Sequence, residues 1–329
     1  MTFTTTSPLI SVVIATYNRR EVLRETLSRL RRQPLPHECF EVVVVDDGST
    51  DDTAAMVEAM MGECEYSLRY YTHQNRGPGY SENVGIRAAR YPLVLLIADD
   101  IWPSPSLLAE HVATHRKYPD INVAVLGGVS QSPDLPPTVL HRHWDPFQYN
   151  RFVDGAEIDA VNFLACNVSI KRDFILAGEM FRERQGAAHE DIELGYRLRQ
   201  RGMRLIFAKS AAAFHHHGET LGGICKRAYE RGRNFDVLLG TMPADFVLPL
   251  YKIATPKAGL AGLLKLLPRE LIRGPLFNAM TVSYFWLPVL AAAEHNALAR
   301  CFASGFAYRG VSGYYLRKGY KELCMTGAA

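Results

Sequence analysis

The chain lacks the usual marks of a disulfide-built, membrane-spanning or nucleic-acid-binding protein. Its six cysteines (Cys39, Cys64, Cys166, Cys225, Cys301 and Cys324) lie far apart and form no Cys-x-x-Cys pair, so a zinc ribbon, a thioredoxin-like motif and a disulfide framework all lose support, and free thiols are expected. The weakly charged stretch from Asn278 to Ala293 runs to about 16 residues and carries Pro288, against roughly 20 apolar residues for a spanning helix, so none is expected. Met1 to Pro8 has neither the basic start nor the apolar run of a secretory signal and reads as a polar lead-in, which points to the cytoplasm. No internal repeat or low-complexity tract is present. The phosphate loop Gly-x-x-x-x-Gly-Lys-Ser/Thr is missing, and Gly77-Pro78-Gly79 is followed next by Gly85. That spacing disfavours an ATPase or a dehydrogenase.

What remains is a chain of 329 residues with 48% hydrophobic and 22% charged residues, ample for a substantial core and inconsistent with disorder. The net charge of +3 hides an asymmetry. Residues 1–225 hold 23 Lys+Arg against 28 Asp+Glu, and residues 226–329 hold 14 against 6. The basic surplus is too thin for a nucleic-acid stripe but suits an anionic membrane surface or an anionic acceptor.

The first half alternates apolar runs with helical patterns, as a parallel sheet covered by helices requires. Strands are expected at Ile10–Ala15, Glu41–Val45, Ser67–Thr72 and Leu93–Ala98, with helices at Glu21–Arg32, after Asp52, from Ser81 to Ala89 and from Pro105 to Tyr118. A further strand is expected at Asn122–Gly127, a loop at Ser130–Asp159 and a strand at Val161–Ile170. A helix from Ile192 to Arg201 ends at Gly202, with short strands at Leu205–Phe207 and Ala211–Phe214 beyond it. From about Phe235 the pattern turns helical. There Leu260, Leu263, Leu264, Leu267 and Leu271 form a stripe beside Lys257, Lys265, Arg269 and Arg273, which fits a membrane surface or packing against another part of the molecule or a second subunit.

Strand ends of open α/β sheets bind ligands, and three of them here finish in polar turns. Asp46-Asp47-Gly48-Ser49-Thr50 can accept hydrogen bonds from a nucleobase or ribose, and is equally good turn chemistry. Asp99-Asp100, after a five-residue apolar strand, makes a hard oxygen site for Mg²⁺ or Mn²⁺ with a diphosphate. Glu190-Asp191 opens a helix, whose dipole keeps a carboxylate ionised and available as a base. In His215-His216-His217 an extended backbone puts His215 and His217 on one face and His216 on the other, so no more than two can share an ion. With no His-Glu-x-x-His helix, a zinc hydrolase is disfavoured.

The ordered set Ser11-Val12-Val13-Ile14-Ala15-Thr16-Tyr17-Asn18-Arg19, Val45-Asp46-Asp47-Gly48-Ser49-Thr50-Asp51, Asn83-Val84-Gly85-Ile86, Asp99-Asp100 and Glu190-Asp191 resembles family 2 glycosyltransferases of GT-A fold, over roughly residues 8 to 235. The resemblance implies a Rossmann-like, mostly parallel sheet flanked by helices in residues 1–235, with residues 236–329 as a helical basic extension. It implies an inverting, metal-dependent transfer from a nucleoside-diphosphate sugar to a glycan or lipid-linked acceptor. By the same resemblance Ala15, Thr16 and Tyr17 line the base pocket, with Asp46, Asp47, Arg76 and Asn83 also at the donor. Asp99, Asp100 and His215 or His217 attend the metal and diphosphate, and Asp191 is the base beside Glu190. Two positions depart from the family pattern: Ile97 stands at the first Asp of Asp-x-Asp, and Glu82 stands where many members have Arg. A nucleotidyltransferase would need a glycine-rich basic loop that Tyr17-Asn18-Arg19 does not supply, and a non-catalytic scaffold on the same fold would not need the acids. Attachment at the inner face of the cell membrane and oligomerisation are both compatible with the basic C-terminal part.

Overall fold

A computed structural model describes residues 10–184, 188–253 and 274–326. Met1 to Pro8 and the leucine stripe of residues 257–273 lie outside the described residues. Two compact units emerge, one of residues 1–135 with 147–217, the other of residues 136–146 with 218–329. The division falls at His217/Gly218, where the sequence pattern suggested residue 235, and the second unit also takes a segment from inside the expected loop.

In the first unit β1 (Ile10–Thr16), β2 (Phe40–Asp46), β3 (Ser67–Thr72) and β4 (Leu93–Ile97) pair in parallel in the order β3-β2-β1-β4. Their residues are nearly all buried in β1, β2 and β4, as β-branched runs covered on both faces must be. Helices α1 (Arg20–Arg31), α2 (Thr53–Met61) and α3 (Pro78–Ala88) connect them in turn, and α4 (Leu107–Lys117) follows beyond β4. Helix α3 starts three residues before the expected Ser81, because Pro78 suits the first helical position and Gly77 takes a left-handed φ of 91° ahead of it. A Cβ on Gly85 would lie 2.2 Å from a Val13 methyl, so only glycine lets α3 sit this close to β1.

Beyond β4 the sheet turns mixed. β5 (Ile101–Pro103) pairs antiparallel with the end of β9 (Arg204–His215), β6 (Val123–Gln131) runs parallel to β9, and β8 (Asn167–Lys171) lies antiparallel between β4 and β6. A two-residue β7 (Glu157–Ile158) flanks β9. The expected strand from Val161 begins only at Asn167. The Asp159 carboxylate accepts the Val161 N–H at 3.1 Å and holds Ala160–Asn162 in a 3₁₀ turn. The two short strands expected near Phe207 and Phe214 are one twelve-residue strand, its irregularity absorbed between Gly127 and Val129. Residues 130–159, expected as loop, contain the short α5 (Val139–His143), a 3₁₀ turn and β7.

The second unit is helical. α5 is capped by Thr138, and the Glu294 carboxylate accepts the Val139 and Leu140 N–H groups at 2.9 and 3.1 Å. Leu221–Arg233 packs on the 21-residue helix Gly305–Met325 with the backbones nearly touching, since a Cβ on Gly319 would meet the Tyr229 carbonyl at 2.1 Å. By length and composition Gly274–Ala292, 19 residues, is apolar enough to cross a membrane, and 17% of its most apolar window is buried. This stretch begins four residues before the Asn278 inferred from sequence. Its helix is restarted at Asn278, whose side chain accepts the Thr281 N–H, and carries a π-turn at Val282–Trp286 just before Pro288, where the i→i−4 donor is missing.

Candidate active site

The carboxyl ends of β1, β2 and β4 open onto a cleft of about 520 Å³ lined by Ala15, Thr16, Tyr17, Arg19, Asp47, Asn75, Gly77, Pro78, Ser81, Ala98, Asp99 and Asp100. Of the residues expected at the donor, Ala15, Thr16, Tyr17, Asp47 and Asp99 line it. Asp46, Arg76 and Asn83 do not. Asp46 is buried at the last position of β2, where its carboxylate accepts the Tyr70 hydroxyl at 2.6 Å and the Ser49 N–H at 2.7 Å, so it braces the turn. Asn83 exchanges two hydrogen bonds with the Phe181 backbone, at 2.8 and 2.9 Å, and so ties α3 to the segment ahead of residue 190. The Arg76 guanidinium lies over the Tyr80 ring, 3.7 Å from its centroid, and bonds Glu183 at 3.1 Å. The Arg76 backbone is what reaches the site: its N–H and that of Gly77 donate to Asp47 at 2.7 and 3.0 Å.

Asp99 and Asp100 sit between the end of β4 and β5, both under 10% exposed. Asp99 accepts the Thr16 hydroxyl at 2.8 Å. Burial pushes its carboxyl up to about 6, with the neighbouring Asp100 adding to the shift and Arg19 opposing it. Burial acts upward on Asp100 too, yet the His215 imidazole and the Arg19 guanidinium hold that carboxyl well below the usual range. The Arg19 Nη1 bridges the pair, 2.9 Å from Asp99 Oδ1 and 2.6 Å from Asp100 Oδ2.

The histidines reach this turn through the β5–β9 ladder, in which Ile101 pairs with His215 and the His216 N–H donates to the Asp100 carbonyl at 2.8 Å. From His215, the last residue of β9, through His217 the side chains divide as the sequence pattern requires. His215 Nε2 and His217 Nδ1 stand 3.6 and 3.7 Å from the same Asp100 Oδ2, whereas His216 turns away and stacks on Trp102, centroids 3.5 Å apart. Ligand atoms of Asp100, His215 and His217 all fall within 4.8 Å of one another. One carboxylate and two imidazoles form a donor set that a divalent metal ion can accept, the imidazoles favouring a transition metal over Mg²⁺.

Glu190 and Asp191 begin α7 (Glu190–Gln200), the helix that follows α6 (Arg172–Leu176), and neither lines the cleft. His189 precedes them in a left-handed conformation, φ 67°. Asp191 lies within electrostatic reach of Cys166, Glu82 and Tyr149. Burial raises the Cys166 thiol to about 12, and the charges of Asp191 and Asp100 both add to the rise. Glu82, on α3, is held well above the ordinary carboxyl range by burial and then by Glu190 and Asp191. Its Oε2 is sealed from solvent and has no hydrogen-bond partner among the described residues. The sequence pattern by itself gives Arg19 no role. The signal available was a cation three residues past the end of β1, beside the strand that delivers two acids.

The profile of glycosyl transferase family 2 matches residues 11–175. The chain belongs to glycosyl transferase family 2. Among this family's curated members it is 31% identical over 231 residues to the validoxylamine A glucosyltransferase of Streptomyces hygroscopicus subsp. jinggangensis, covering 62% of this chain and 54% of that one. It is 31% identical over 121 residues to the poly(ribitol-phosphate) beta-N-acetylglucosaminyltransferase TarS of Staphylococcus aureus, covering 36% and 21%. The chain thus spans about half the length of the first of these relatives, and less of the second. Among solved structures, the mannosyltransferase PcManGT from Pyrobaculum calidifontis, in complex with GDP-Man and Mn²⁺, superposes with a TM-score of 0.62 at 19% identity, covering 97% of this chain and 89% of that one. S. aureus TarS 1-349 in complex with UDP-GlcNAc gives 0.54 at 17% identity over 95% and 92%. The fold of this family 2 member is therefore the expected GT-A fold, a mixed α/β sheet with helices around it.

Proposed function

We propose that the chain is a metal-dependent, inverting glycosyltransferase that moves a sugar from a nucleoside-diphosphate sugar to an acceptor hydroxyl in the synthesis of a cell-surface glycan or glycolipid. The observation that carries this reading is the convergence of Asp47, Asp99 and Asp100 on one cleft, with His215 and His217 aimed at a single Asp100 oxygen. Relatives named as glucosyl- and N-acetylglucosaminyltransferases support the reaction class, and the PcManGT complex with GDP-Man and Mn²⁺ supports the donor type and the cation.

In this reading Thr16, Tyr17 and Asp47 receive the nucleoside. Asp47, whose two oxygens already accept N–H groups from Arg76 and Gly77, fixes the loop against which the base rests. Asp99, Asp100, His215 and His217 would hold the divalent ion, which when bound supplies charge stabilisation to the departing diphosphate. Asp191 accepts the acceptor hydroxyl proton as that oxygen bonds to the anomeric carbon and the bond from that carbon to the diphosphate oxygen breaks. Attack from the face opposite the diphosphate inverts the configuration. Glu190 stands beside Asp191 in the first helical turn. The basic surplus after residue 225 supports an acceptor carried on an anionic membrane or an anionic polymer.

The test is sugar release and transfer from UDP-, GDP- and dTDP-sugars with Mn²⁺, Mg²⁺ or EDTA. Cleavage of one donor that EDTA abolishes is expected. No cleavage of any donor, with no nucleotide bound, would favour a scaffold on the same fold.

A further inference from the structure

Arg19 uses one nitrogen to bridge the two acids that the proposed function assigns to a divalent ion. Its Nη1 takes Asp100 Oδ2 at 2.6 Å, the same oxygen that His215 and His217 face at 3.6 and 3.7 Å. The guanidinium and an ion held by Asp100 and the histidines therefore compete for the same carboxylate oxygen.

The arginine is mounted so that its side chain can leave while its backbone stays. Asn18 holds a left-handed φ of 53°, its N–H donates to Ser49 at 2.8 Å and its side chain accepts the Thr50 N–H at 2.7 Å. The turn is thereby fastened to the end of β2. The Arg19 side chain itself lines the cleft and is 37% exposed, so water and a ligand both reach it. Among the described residues its Nε and Nη2 edge makes no hydrogen bond, and that edge has the spacing for two oxygens of a phosphate.

We propose that Arg19 is a placeholder cation. With no divalent ion bound it neutralises Asp99 and Asp100 and keeps their carboxylates facing one another. When the ion arrives it is displaced, and it turns into the cleft to bind the donor's diphosphate. The device offsets the cost of two acids sharing a buried turn, and it makes ion binding and nucleotide binding cooperative, since a diphosphate stabilises the displaced arginine. This inference rests on the proposed function but goes beyond it in assigning a residue and an order of events.

The experiment measures Mn²⁺ binding by the loss of the free-ion electron paramagnetic resonance signal, without nucleotide, at mildly alkaline pH, in the wild-type chain, Arg19→Met and Arg19→Lys. Nucleoside diphosphate affinity is then measured by calorimetry at saturating Mn²⁺. Arg19→Met should bind Mn²⁺ about tenfold more tightly than wild type and nucleoside diphosphate about tenfold more weakly, a shift of one decade each way. Arg19→Lys should keep more of the nucleotide affinity. If Arg19→Met, folded by circular dichroism, binds Mn²⁺ no more tightly than wild type, the placeholder role is wrong while the transferase reading survives. If the wild-type chain binds neither Mn²⁺ nor any nucleoside diphosphate, both fall together.

Discussion

The two compact units solve different problems with different residues. The first spends its apolar side chains on a sheet buried on both faces and leaves its polar groups at the strand ends, where Asp47, Asp99, Asp100 and His215 are each held by a named partner. The second is held by close helix crossings and by rings, with Phe277 stacked on Trp286 at 5.2 Å, and it leaves Met280, Tyr284, Phe302 and Phe306 exposed. The candidate site lies at the ends of paired, buried strands, a placement that lets a site keep its geometry without reorganising. Among the described residues the second unit has more of the exposed large apolar side chains, and residues 226–329 carry the basic surplus.

That contrast can be broken most severely at Asp191. Asp191→Asn should lower transfer by about 10²- to 10⁴-fold, the range for a lost general base, with nucleoside diphosphate affinity within a factor of about two of wild type. A transfer assay beside calorimetry checks both, and full activity would remove the base assignment. Asp99→Ala is the next largest: it should weaken nucleotide binding in Mn²⁺ by about tenfold and leave the residual binding in EDTA unchanged.

A smaller effect separates packing from chemistry. Gly319→Ala forces a Cβ toward the Tyr229 carbonyl at 2.1 Å and should cost roughly 1–3 kcal/mol of stability, read as a lower thermal midpoint, while donor affinity stays at the wild-type value. Loss of donor binding in that variant would tie this helix crossing to the donor site.

The smallest effect is a pH dependence in the first unit. Burial lowers His111 to about 4, and its ring bonds Ser169 at 2.8 Å and Asn167 at 3.0 Å; His115 is lowered too, by burial and then by Lys171. In the unfolded chain these rings titrate near 6.5, so between that pH and about 4 the unfolded state binds more protons than the folded one, and stability falls as pH falls through this window. The urea midpoint should therefore drop on going from neutral to mildly acidic buffer, and drop less in His115→Gln.

Much of the first unit was legible because β-branched runs ending in acid pairs have few other uses. Asp47 and Asp99-Asp100 announced themselves at strand ends, and alternation alone separated His215 and His217 from His216. Other features left no local trace. The antiparallel β8 between β4 and β6 is a long-range pairing, and the capping of residues 160–162 by Asp159 moved its start. Asp46 and Asp47 are equivalent as letters, and only the pleat decides that one reaches Tyr70 and the other the cleft. His111 looks like any helical histidine until Ser169 and Asn167 are brought beside it from a strand more than 50 residues away. The role of Arg19 depends on the distance between two strands, which spacing along one chain does not report.

The most direct test of the account is the affinity of the wild-type chain and of Asp100→Ala for a nucleoside diphosphate, each measured with Mn²⁺ and with EDTA. Mn²⁺ should strengthen wild-type binding by about tenfold or more and leave Asp100→Ala binding unchanged. Equal wild-type affinity in Mn²⁺ and in EDTA would contradict it.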